Sequence, residues 1–340
     1  MVELRDDSLL FSFPDVHPDA VLGVSFQRTL RIPDDGRDYP LPPRLGAFPL
    51  RHVDDCEERV PESWIQYGGV MLPMYQSEAL WLSFHTPQGY PFAVKVATGK
   101  QSAITGDAWR EGLHRSPEQD YLVCPEQPWL DGYVVERGMI RQFVAMPLGS
   151  GYSAEEQLTG QAEHGGLQLQ VYPLKRKAWE RVLAERARQQ AEQRYWAVDP
   201  TDLPPLSMCA DMGLAPGGQM RQEIYEDPYP FGDWDPAHTS RCFVHIANTL
   251  VWRSITGEEP PTVPLTAEEY TRAGLPWFEL YAADLKPLPG SKRLHSMKSV
   301  AQLGEEKQQA PLPENQSVEV KNIKVLRKGL GKHQVREGSF

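Results

Sequence analysis

The sequence predicts a β-rich α+β fold, an antiparallel sandwich or distorted barrel with one long amphipathic helix on its outside. Three observations carry that prediction. Short apolar stretches of period two recur between turn signals over residues 1–172 and again over 219–250. A helical period is sustained over only one long stretch, 174–196. The 31 prolines fall in clusters that cut the rest of the chain into short segments.

Taken in order, Leu9–Phe13 and Ala20–Leu30 read as strands, and the turn Pro33-Asp-Asp-Gly36 comes after the second of them. Pro40–Pro49 is expected to run extended along the surface. Ala79–Phe84 and Pro91–Ala97 read as a hairpin, with Phe92, Val94 and Val96 alternating as in a half-buried strand. Tyr133–Glu136 and Met139–Met146 flank Arg137-Gly138, a second hairpin. Leu167–Tyr172 alternates apolar residues with glutamine, which predicts one buried and one wet face.

Residues 1–173 thus form a β-rich region, and 174–197 the amphipathic helix. Trp179, Val182, Leu183, Ala187, Ala191 and Tyr195 mark the helix's apolar stripe. A Pro/Gly-rich crossing is expected over 198–218, with Gly213–Gly218 flexible. Strands at Gln219–Tyr225 and Arg241–Ala247 and a short helix then complete the same core by residue 300. Both short helices carry a capping box, Ser153-Ala-Glu-Glu156 and Thr266-Ala-Glu-Glu269. Residues 301–340 are expected to be a loosely ordered basic tail, with a last strand at Val318–Leu326.

Composition narrows the function classes. The chain has 340 residues, 40% hydrophobic and 24% charged, which is globular. Net charge is −11; the tail 318–340 holds six basic residues against two acidic, so it carries +4 and the preceding 317 residues carry −15. An acidic body disfavours nonspecific binding to nucleic acid, which rests on phosphate-matching basic surface, and no specific nucleic acid is expected as a partner. The basic helix 174–196 and the basic tail 318–340 are the segments that would meet a protein partner or a second copy. Four scattered cysteines give no zinc or disulfide spacing, and the N-terminus lacks a signal-peptide pattern. The expected location is cytoplasmic, with no transmembrane segment, no cofactor and no metal.

Motifs for chemistry are few. Gly149-Ser-Gly151-Tyr-Ser-Ala154 outlines a dinucleotide fingerprint, but the helix after it is too short for one and no acidic residue follows the next strand. Cys242 and His245 are three apart on a strand and so point to opposite faces. The densest polar-aromatic segment is 223–238, which supplies Glu226, Asp233, Asp235 and His238 as candidate catalytic residues. Asp233 and Asp235 are also the candidate pair for a hard cation, without the rest of a calcium loop. Carboxylates among aromatics suit carbohydrate handling; the competing reading is a loop whose aspartates cap turns.

Arg141-Gln-Phe-Val-Ala-Met-Pro-Leu-Gly-Ser-Gly-Tyr152, Glu155-Glu-Gln157 and Gly165-Gly-Leu-Gln168 resemble an uncharacterised family of bacterial and fungal proteins. Met220–Tyr225 and Gly274–Phe278 extend the resemblance over roughly residues 65–300. It implies no activity, cofactor or catalytic residue. The sequence therefore points to a non-catalytic intracellular binding or assembly protein. The alternative is a hydrolase-like enzyme acting on a polar or carbohydrate substrate through the carboxylates of 223–238.

Overall fold

The computed structural model describes residues 1–192, 212–281 and 285–327. Two sheets make up its body. The main path of the first runs Val2–Arg5, Ser8–Ser12, Val21–Thr29, Ala79–His85, Met139–Pro147, Met212–Arg221 and Asp38–Tyr39. That of the second runs Gln101–Ser102, Phe92–Thr98, Leu167–Pro173, Ser240–Asn248, Val70–Met74 and Arg51–His52. Most neighbours are antiparallel, but Ser240–Asn248 pairs parallel with Val70–Met74, and Met212–Arg221 with Asp38–Tyr39. The sheets are therefore mixed, and among the described residues neither closes into a barrel.

Period-two alternation explains why the sheets stack. Cross-strand partners share a face, so Val24, Phe26 and Leu80 of the first sheet line up with Phe84, Leu82 and Phe143. In the second, Val94, Val96, Val171, Leu169 and Val244 do the same. These two inward faces meet in one continuous apolar cluster. The outward faces are partly covered as well. Val144, Ala79 and Ala215 pack under Val300 and Leu303 of the helix Val300–Glu306. Met71 and Ala247 pack under Trp64 and Trp252, which lie on the helices Glu62–Tyr67 and Thr249–Thr256.

The outside helix forms over Arg176–Glu192 and docks through Trp179, which is fully buried with its ring centroid 4.8 Å from that of Tyr90. Three of its five basic residues turn back onto the chain. Arg176 donates to the Val16 carbonyl, Arg186 to that of Gly89, and Arg181 to the Asp233 carboxylate. Lys175, just before the helix, donates to the Gly232 carbonyl. Both predicted capping boxes are present, on Ala154–Thr159 and Ala267–Arg272.

Four expectations are corrected. Ala79–His85 and Phe92–Thr98 are not a hairpin, because they lie in different sheets and each pairs with strands distant in sequence. Leu167–Pro173 has no wet face: Gln168 and Gln170 are as buried as the apolar residues between them. Gly213–Gly218 lies inside the strand Met212–Arg221, where glycine lets neighbouring chain approach closely; a Cβ on Gly218 would fall 2.3 Å from the Pro33 carbonyl oxygen.

The late chain, fourth, is built into the fold. Beyond Val300–Glu306, the strand Ile323–Arg327 pairs parallel with Trp277–Tyr281. Residues 328–340 of the basic tail, and the part of the Pro/Gly-rich crossing before Met212, fall outside the described residues. Among the described residues no helix is long and apolar enough to cross a membrane.

Candidate binding cleft

One buried ammonium organises the largest loop of the second sheet. Lys95, in the strand Phe92–Thr98, is 2% exposed. Its Nζ meets the Asp120 carboxylate at 2.9 Å and donates to the carbonyls of Arg110 and Gly112, both at 2.6 Å. The Trp109 ring lies 4.7 Å away. Burial lowers the lysine's pKa while the Asp120 carboxylate opposes that. Asp120 also accepts the His114 backbone N–H at 2.9 Å. With three acceptors around it, the ammonium tethers the loop rather than offering a nucleophile's lone pair. The tether holds residues 107–120 against the sheet and places Arg115, Glu118 and Gln119 along one side.

The acidic-aromatic segment forms the next wall. Gln119 accepts from the Asp227 N–H at 2.8 Å and donates to the carbonyls of Tyr121 and Tyr225. The Asp227 carboxylate is buried and accepts from Tyr121 Oη (2.6 Å), Trp234 Nε1 (2.9 Å) and the Tyr229 N–H (2.8 Å). Arg115 donates to the carbonyls of Asp227 and Tyr229, both at 3.1 Å. Glu126 sits nearby, its carboxylate accepting from Tyr229 Oη at 2.8 Å and its pKa raised by burial.

Residues 286–291 close the far side. The Glu226 N–H donates to the Lys286 carbonyl, and the Leu288 N–H to that of Ile224. The chain then turns at Gly290, whose φ is +82°; a Cβ there would lie 2.2 Å from the Glu136 Cα, so only glycine fits. Ser291 donates its N–H to the Val134 carbonyl at 3.0 Å and its Oγ to the Thr105 carbonyl at 2.6 Å.

Between these walls lies a cleft of about 310 Å³. Ile104, Val134 and Leu288 supply its apolar surface, and Arg115, Glu118 and Glu226 its charges. A few convergent polar groups on an apolar concavity are what small-molecule sites share, and this volume lies at the small end of their range. A second cavity, of about 20 Å³, lies on the outer face of the second sheet beside Tyr67, His164 and Gln168 and has room for little more than a water.

The candidate residues of 223–238 are spread out. Glu226 lines the cleft and pairs with Lys286 at 2.7 Å. Asp233 and Asp235 do not line it. Asp233 receives Arg181 at 2.5 Å. Asp235 accepts the N–H groups of Ala237 and His238 and meets His238 Nδ1 at 3.0 Å, an aspartate turn closed on itself. Among the described residues no three His, Cys, Asp or Glu side chains are grouped to hold a metal.

The glycine motif has its donors occupied from within, because Glu156 accepts the N–H groups of Gly151 and Ser153. Cys242 joins the core. His245 faces away from it, stacked on Trp64 with centroids 4.7 Å apart, and burial lowers its pKa to about 4.

No family model matches the chain, and neither does any curated protein or solved structure. Sequence reasoning passed over Arg115, Glu118 and Gln119 because residues 105–120 carry no periodic pattern. The available pointer was Lys95, a charge inside the apolar run of PFAVKVA.

Proposed function

We propose that this protein is a non-catalytic binding protein whose ligand seats in the cleft between residues 104–119, Glu226 and 286–290. The carrying observation is the contrast between occupied and open polar groups. Asp227, the buried carboxylate of the acidic-aromatic segment, accepts three hydrogen bonds that hold the wall together. Asp233 and Asp235 are engaged with Arg181 and with their own turn. The cleft, in contrast, presents apolar surface and one unpaired carboxylate, Glu118, at a concave opening. Such a surface selects and holds a ligand without an acid and base placed across it.

Ile104, Val134 and Leu288 make the reading testable, because their methyl groups report occupancy by NMR. A fragment library screened against methyl-labelled protein is expected to shift these three signals together. Pro289→Trp, an exposed rim substitution that fills the opening, is expected to abolish the shifts. Shifts that survive Pro289→Trp, or that cluster elsewhere, overturn the proposal. The enzyme reading keeps one specific support, the presence of Glu226 in the cleft. It would replace the binding reading if a bound fragment were converted to product and Glu226→Gln stopped the conversion.

A further inference from the structure

Resting on the cleft as the binding site, we infer that its ligand is an alkylammonium ion on an apolar stem, either a free amine or the lysine side chain of a partner. The charge balance at the opening decides the sign. Arg115 already donates to two carbonyls, and its guanidinium lies 3.9 Å from the buried Asp227 carboxylate, so much of its field is spent inside the wall. Lys286 is held by Glu226. Glu118 lines the cleft exposed and, among the described residues, has no ion-pair or hydrogen-bond partner. Among the described residues, the cleft lining is therefore left with one carboxylate, Glu118, that no cation is paired with. An anion would meet that charge at the mouth, whereas a cation would be drawn to it.

The apolar lining sets the rest of the ligand. Ile104, Val134 and Leu288 offer methyl surface but no hydrogen-bonding side chain, which suits a methylene chain whose charged head stays at the wet rim. A compact, strongly hydrated cation without a stem would leave that surface unused. A lysine-like group matches both parts, with its head at Glu118 and its stem along the floor.

The test uses the full chain and four probes: cadaverine, Nα-acetyl-lysine amide, its Nε-acetylated neutral form, and glutarate. Both amines are expected to shift the Ile104, Val134 and Leu288 methyl signals, with affinity falling as salt rises. Glu118→Gln, a substitution on an exposed side chain, is expected to weaken both amines about two- to fivefold, the worth of one exposed ion pair. Tighter binding of cadaverine assigns a free amine, and tighter binding of the lysine amide assigns a side chain presented by a partner. If glutarate or the neutral form binds the same methyls as well as the amines do, the charge class is overturned and the cleft stands. If none of the four probes, nor any fragment, moves those signals, both the inference and the binding reading fall.

Discussion

Two aspartates show how much a residue's neighbours decide. Asp227 and Asp233 stand in the same segment, yet one is a buried hub for Tyr121, Trp234 and Tyr229 and the other takes a surface arginine. Sequence spacing could not separate them, because burial depends on contacts with Gln119 and Tyr121, more than a hundred residues away. Asp131 is a third case: it is fully enclosed, and burial raises its pKa from 3.8 to about 7 despite a hydrogen bond from the Trp129 side chain. Between those values the folded state holds a proton that the unfolded chain has released. Stability from this group is complete below pH 4 and falls as the pH rises to about 7, by on the order of 4 kcal/mol. Asp131→Asn keeps an acceptor for Trp129 and cannot ionise. It is expected to flatten that part of the stability-against-pH curve, measured by urea unfolding at pH 5, 6, 7 and 8. An unchanged slope would remove Asp131 as its source. At Lys95 the expectation is a loss. Lys95→Met leaves Asp120 buried without its ammonium and frees the carbonyls of Arg110 and Gly112, at a cost of about 3 kcal/mol. Limited proteolysis should then cut within residues 107–120, which the wild-type protein protects.

Elements were legible wherever one face alone decides burial. The strands near residues 9–13, 20–30, 139–146 and 241–247 and both capping boxes formed close to where period and caps place them. Pairing was less legible. Ala79–His85 and Phe92–Thr98 each alternate correctly, but alternation does not name a partner, and the chain between them crosses from one sheet to the other. Gln168 and Gln170 misled for a related reason: a glutamine row predicts water only where nothing from elsewhere covers it. The cleft wall at 286–291 belongs here too, since apart from the Lys286–Glu226 pair its hydrogen bonds are made mainly by backbone and carry no sequence pattern. Ser291 is the exception. Its Oγ donates to the Thr105 carbonyl and also accepts the Leu294 N–H at 3.3 Å, capping the short helix Lys292–His295. Ser291→Ala loses both bonds and leaves a buried carbonyl with one donor fewer, so a destabilisation of about 1–2 kcal/mol is expected in denaturant unfolding. Because the same bond joins the two walls, ligand-induced shifts at Ile104 and Leu288 should also shrink in this variant.

At the scale of the whole molecule, the late chain is part of the body rather than an appendage. Leu288, Leu294 and Met297 enter the main cluster between the sheets, while Val300 and Leu303 cover the outer face of the first sheet. Polar contacts hold the same segment along its length. Arg141 donates to the Met297 carbonyl, the Ala301 N–H to Asp34, and Arg31 to Asn315. Composition disguised this, since residues 301–317 are polar and proline-containing, and their few apolar side chains carry no obvious period. Burying five large apolar side chains contributes about 1.5–3 kcal/mol each. That sum is comparable with the ~5–15 kcal/mol net stability of a typical domain. A chain ending at residue 285 is therefore expected to lose cooperative folding: its near-ultraviolet circular dichroism should be largely gone and its thermal transition broad. The full chain should instead melt in one transition, with tryptophan fluorescence and far-ultraviolet signals superimposing, because Trp179, Trp234 and Trp277 all sit in the cluster shared by both sheets. A truncated chain that melts as sharply as the full one would show that the two sheets fold without the segment, and that its role is confined to walling the cleft.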